Sequence, residues 1–110
     1  MQTSTVVAPK CSSGVGSTLT ALGGYTPAVS AIITSIMVAN TTTNTVNVSV
    51  TLYNGTTDYY LAKLYTLNPN DTLTIGGASA KLSLVNGWYV RVFSSAGTSV
   101  DATMCVVELS

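Results

Sequence analysis

The sequence predicts an all-β domain, an antiparallel β-sandwich of jelly-roll or immunoglobulin-like type with about seven to eight strands. Three observations carry this. Apolar side chains alternate with polar ones along several short runs, as in Val46, Val48, Val50 and Leu52 against Asn47, Ser49, Thr51 and Tyr53. Turn residues such as Asn54-Gly55, Asn68-Pro69-Asn70-Asp71 and Asn86-Gly87 punctuate those runs. No stretch has helical periodicity, and β-branched residues are abundant where a helix would be long enough to form.

The chain of 110 residues is 46% hydrophobic and 7% charged, with four acidic and four basic residues and no histidine. That size suits one domain with its own core, and the apolar content excludes disorder. Residues 1–26, broken by Gly14, Gly16, Gly23 and Gly24 and filled with Ser and Thr, read as an extended N-terminal arm with one short strand over Thr5–Ala8. Such arms often reach onto a neighbouring chain. The sandwich domain is expected over 27–110.

Within that domain the run "AVSAIITSIMVAN" reads as a strand, since Ile32, Ile33, Thr34, Ile36 and Val38 favour a pleated surface. The 46–53 run packs on one side and faces solvent on the other. After a loop over 55–58, "YYLAKLYTL" is harder to phase. Tyr60, Ala62 and Leu64 would face the core and Tyr59, Lys63 and Tyr65 the outside, which also leaves Leu61 out. "TLTI" is a short strand stopped by Gly76-Gly77. "AKLSLV" places Leu82 and Leu84 inward and Lys81 and Ser83 outward. "WYVRVF" places Trp88, Val90 and Val92 on one face and Tyr89, Arg91 and Phe93 on the other. "VDATMCVVEL" closes the chain, with a slip in its alternation at Val106-Val107 that marks a bulge or burial on both faces.

Composition restricts function. Lys10, Lys63, Lys81 and Arg91 are scattered, so there is no basic patch for nucleic acid. No apolar run approaches the roughly 20 residues of a membrane helix. The start lacks a basic segment followed by an apolar one, and "VVAPKC" is no lipobox, so neither a secretory signal nor lipidation is expected. Without histidine the commonest general base and metal ligand are missing. Asp58, Asp71, Asp101 and Glu108 lie beside turns or at a strand end, as turn formers and surface charges do. No G-x-S-x-G elbow occurs, and "GVGSTLTALGG" lacks the lysine of a phosphate loop. No catalytic residue, cofactor or metal site is expected.

Cys11 and Cys105 sit near opposite ends of the chain, and both readings stay open: two free thiols, or a disulfide within or between chains. Sequons occur at Asn40, Asn47, Asn54 and Asn70; about half would arise by chance in a chain so rich in Ser and Thr, and without a signal peptide glycosylation is not expected. Tyr59, Tyr65, Tyr89, Arg91 and Phe93 are the candidate interface residues. With Tyr60, the tyrosines lie on or beside adjacent strands, where they pack across strands, meet a protein partner or stack on sugars.

The motifs Thr34-Ser35-Ile36, Val38-Ala39-Asn40, Asp58-Tyr59-Tyr60-Leu61 and Val100-Asp101-Ala102-Thr103, in this order, carry a resemblance over roughly residues 28–110. The chain resembles small β-sandwich structural proteins of tailed bacteriophages, although the arm and Trp88 depart from that pattern. The resemblance implies a non-enzymatic virion protein, assembled in the host cytoplasm. It would be a capsid decoration or cement protein at subunit junctions, or a component of the neck, tail or fibres. The implied partners are other virion proteins and further copies of the chain, with neither nucleic acid nor membrane. The alternative from another class is an adhesive carbohydrate-binding module that uses exposed tyrosines.

Overall fold

The computed structural model describes residues 4–27, 30–76, 82–85, 87–96 and 100–109. The expectation for Lys81 falls outside these residues. Nine strands are present among them: β1 (Ser4–Val15), β2 (Thr20–Ala21), β3 (Ser30–Asn40), β4 (Val46–Tyr53), β5 (Asp58–Leu67), β6 (Thr72–Gly76), β7 (Leu82–Leu84), β8 (Tyr89–Ser94) and β9 (Val100–Leu109). They form two sheets. The first runs β1-β9-β3-β6, with β7 also paired to β3, and the second runs β2-β8-β4-β5. All pairings are antiparallel. The sandwich predicted from the alternation is therefore present, with two more strands than the seven read from 27–110.

The core lies between the sheets. Ile33, Ile36, Val38, Val100, Ala102, Met104 and Val106 from the first sheet join Val46, Val48, Val50, Leu67, Val90 and Val92 from the second. Each fully buried aliphatic side chain contributes roughly 1.5–3 kcal/mol relative to its exposed state. Of the apolar face expected on β4, Val46, Val48 and Val50 are buried and Leu52 is partly so, and Leu84 on β7 points inward as expected.

The two extra strands come from the segment expected as an arm. β1 is extended, but it is not separate: it pairs along β9 from Ser4↔Leu109 to Val15↔Val100. Val15, Leu22 and Tyr25 lie in the core. The glycines that broke the alternation mark irregularities inside the fold. Gly14, at φ 61, sits in the register shift between Ser12 and Val15. Gly23, at φ 64, lies in a 3-10 turn pressed on β1, where a Cβ would come within 2.8 Å of Lys10 Cβ and 3.0 Å of the Cys11 nitrogen. Its amide donates to Ser12 Oγ at 2.7 Å. Tyr25 donates its hydroxyl to Glu108 Oε2 at 2.5 Å, which ties this segment to the end of β9. Burial first, and then the Glu108 carboxylate, push the Tyr25 ionisation well above its ordinary value.

The alternation of β9 does not slip at Val106-Val107. Val106 points into the core, Val107 is half-buried, and the ladder is continuous there on both sides. The irregularities lie in the partner strands, between Val7 and Lys10 in β1 and between Ile33 and Ser35 in β3. The second of these lets Ile33 and Ile36 both face inward despite their odd spacing.

Asn40, at the end of β3, is buried and saturated. Its Nδ2 donates to the carbonyls of Asn44, Leu67 and Asn68 at 2.7, 3.2 and 3.2 Å. Its Oδ1 accepts from the Thr42 amide at 2.9 Å and the Thr42 hydroxyl at 2.8 Å. It therefore joins the β3–β4 turn to the β5–β6 turn, and its amide nitrogen is closed to modification. Asn40→Ala strands several of these partners. It is expected to destabilise the domain by about 2–3 kcal/mol, read as a lower denaturation midpoint at unchanged slope.

Candidate functional site

The outer face of the second sheet carries the densest group of side chains with unusual surroundings. It was expected to be wet along β4. Instead Ser49 and Thr51 are buried there. Thr51 donates its hydroxyl to Asp58 Oδ1 at 2.7 Å. Arg91 donates Nε to the same oxygen at 3.0 Å and Nη2 to Asp58 Oδ2, forming a two-pronged ion pair. The Arg91 guanidinium also lies 4.0 Å from the centroid of the Tyr53 ring. Tyr53 in turn meets Tyr89 edge-on, at 5.3 Å and 63°. Strand register explains the cluster. Tyr53 stands opposite both Asp58 and Tyr89, and Thr51 opposite both Tyr60 and Arg91, so all of these share one face.

The Arg91 hydrogen bond, aided by that from Thr51 and by the positive charge, holds the Asp58 carboxyl below the usual carboxylate range despite partial burial. The same hydrogen bond raises Arg91. The pair acts as a clamp between the edge strand β5 and β8, across β4.

Farther along the same face lies a groove of about 360 Å³. Ser49 and Phe93 form its floor, Ser17 and Leu19 one wall, and Tyr60, Lys63 and Leu64 the other. The second wall comes from irregular pairing of β5. Val48 opposes Tyr65 and Val50 opposes Ala62, so Lys63 and Leu64 together face Ser49. Leu64 adopts φ 50 in this bulge, and its amide donates to Ser49 Oγ at 2.9 Å. A second shift between Ala62 and Tyr60 leaves Leu61 over and turns it toward the core. The expected phase of this strand is therefore corrected. Tyr60 and Leu64 are exposed rather than buried, and Leu61 is packed inward.

The five expected interface residues do not form one patch. Tyr89 and Arg91 belong to the Asp58 cluster, and Phe93 belongs to the groove. Tyr59 opposes Leu52 and Tyr65 opposes Val48, so both lie on the core side of β5, at the open edge of the sandwich. Tyr59 stacks on Trp88 there, at 6.4 Å and 10°. Sequence reasoning did not single out Tyr53, Leu19 or Leu64. The unclear phase of "YYLAKLYTL" was the one signal of the bulges.

Cys11 and Cys105 are both free, the first exposed and the second half-buried. They lie on neighbouring strands, with Cys11 opposite Thr103. Asp101 accepts from the Gly14 amide at 3.0 Å and Asp71 from the Thr72 amide at 3.0 Å. Among the described residues no three side chains of His, Cys, Asp or Glu come together to hold a metal.

The Asp58–Arg91 pair gives stability a defined acid limb. The folded carboxyl titrates below its unfolded value near 4. Its contribution is therefore present above about pH 4 and is lost as pH falls through the folded value. For a pair this accessible that contribution is about 1 kcal/mol. Asp58→Asn should remove it at neutral pH and flatten the loss below about pH 4, as read from melting temperature against pH.

No family model matches the sequence, and no curated protein matches it. Solved structures do match. The chain is similar to a chain in the acidic stable capsid structure of Helicobacter pylori bacteriophage KHP30, with a TM-score of 0.55 and 13% identity over 100% of this chain and 94% of that one. It is also similar to part of the exo-β-1,3-galactanase of Phanerochaete chrysosporium, with 16% identity over 27% of that chain; at a TM-score of 0.30 this carries no argument. The likeness to the capsid chain shows a shared fold, end to end, between two chains of nearly equal length.

Proposed function

We propose that the chain is a non-enzymatic structural protein of a bacteriophage particle, a capsid decoration or cement protein that binds at junctions between subunits and stabilises the shell. The supporting observation is the match to a capsid-structure chain over essentially the whole of both chains.

The surface chemistry agrees with this reading. Among the described residues six large hydrophobic side chains are exposed, and four of them, Tyr59, Tyr60, Leu64 and Tyr65, lie on β5. Tyrosine and leucine at an exposed edge provide contact area with little loss of side-chain freedom for the tyrosines. Charge contributes little to attachment in a chain with four acids and four bases. Each contact can be weak, because many copies on one lattice hold together far more firmly than any single contact. The acids that a hydrolase would use have structural partners instead. Asp58 holds Arg91, Asp101 holds Gly14, and Glu108 holds Tyr25.

Because β1 is folded into the first sheet, attachment in this reading is by the faces and edges of the sandwich. It is not by an arm laid across the junction, the mechanism suggested by residues 1–26 alone. Purified particles should carry the chain at a fixed ratio to the shell subunit, distributed over the shell rather than at one vertex. Particles stripped of it should release their contents at a lower temperature. Absence from purified particles contradicts the proposal, and localisation to a single vertex or to the tail replaces decoration with a neck, tail or fibre role.

A further inference from the structure

We infer that the groove between Leu19 and Leu64 takes an extended apolar peptide segment carrying a carboxylate, contributed by a different chain of the particle. The identity of the donor rests on the virion reading above. The chemistry of the groove does not.

The first observation is Leu64. A bulky residue at positive φ is uncommon and strained. Here the strain does not serve packing, because the Leu64 side chain is half exposed. The bulge holds this leucine out over the groove, facing Leu19 across a floor that includes Phe93. Strain at a non-glycine residue is retained where the surroundings impose it, and it clusters at ligand clamps. An apolar occupant would cover Leu64 and account for its position.

The second observation is charge. Lys63 is exposed at the rim, with its ammonium 5.1 Å from the centroid of the Tyr60 ring. Arg91 with Asp58 is the ion pair found among the described residues, and none of their carboxylates lies within that range of Lys63. The groove thus presents apolar walls with one uncompensated positive charge, which complements an apolar segment with one negative charge. A second copy of this chain supplies that charge poorly. Asp58, Asp101, Glu108 and Asp71 each hold a partner inside their own fold, the last through the Thr72 amide at the β5–β6 turn. A sugar is also a poor fit, since neither a carboxylate nor a side-chain amide lines the groove to accept from its hydroxyls.

The test uses the full-length protein labelled with nitrogen-15 and two blocked peptides, acetyl-Leu-Phe-Asp-Leu-amide and acetyl-Leu-Phe-Asn-Leu-amide. The acidic peptide should shift the amides of Ser49, Lys63, Leu64 and Phe93. It should bind roughly three- to fivefold more tightly than its neutral counterpart, as expected for one exposed ion pair. Lys63→Gln should abolish that difference without changing the melting temperature. Leu64→Asn, which tolerates the left-handed backbone, should keep or raise the melting temperature and weaken both peptides. Equal binding of the two peptides, no shift at millimolar concentration, shifts centred elsewhere, or the same shifts from a galactose oligosaccharide instead would each overturn the inference. In particles, the same two variants should show reduced occupancy. Full occupancy by both would overturn the inference while leaving the virion reading intact. Absence of the wild-type chain from particles would overturn the virion reading, and the peptide result would then decide the groove alone.

Discussion

Strand β9 is the element on which the rest of the molecule depends. It pairs with β1 on one side and with β3 on the other, over nearly its full length on both. On its inner face Val100, Ala102, Met104 and Val106 are buried against the second sheet. A single ten-residue segment thus supplies a main-chain ladder to two neighbours and a row of side chains to the core. With one ion pair among the described residues, apolar burial between the sheets and the two ladders on β9 hold the layers. Asn40 and the Tyr25–Glu108 hydrogen bond then fasten loops at the margins of those layers.

This arrangement divides the molecule by role. The first sheet contains β1 and β9, and its outer surface mixes polar residues such as Ser83, Asp101 and Thr103 with the exposed Met37. The second sheet ends at β5, an edge strand with two register shifts, one exposed lysine and four exposed large hydrophobic side chains. Bulges and a lysine discourage another strand from adding to that edge. The exposed side chains, rather than the bare backbone, are therefore what β5 offers a partner. The Asp58–Arg91 clamp holds β5 to the sheet at one end, and the bulge at Leu64 lifts it at the other. A fixed clamp beside a raised wall yields a groove of set shape on a rigid face.

Much of this was legible in the residues, and what was not has identifiable causes. The period of two over 46–53 predicted β4 and its core side correctly, because that strand is regular and central in its sheet. Its other side was misjudged, since nothing local shows that Arg91 and Asp58, distant in sequence, close over Thr51. The phase of β5 was unreadable past Tyr60 because two extra residues shift it, and alternation can be followed only where the register is unbroken. Residues 1–26 read as an arm because glycines and hydroxyl residues hide a strand whose regularity is imposed by β9. The same cause dispersed the expected interface. Tyr59 and Tyr65 fall on the opposite side of β5 from Phe93 and Arg91, although spacing alone grouped them.

The account stands on β1 being part of the sandwich rather than a reaching arm. Hydrogen exchange of the free, full-length protein measures this directly. The amides of β1 that point at β9 should be protected to nearly the same degree as those joining β3 to β9, and both sets should open together in denaturant. Rapid exchange throughout 4–15, with β3 and β9 still protected, would show a detached arm and contradict the account.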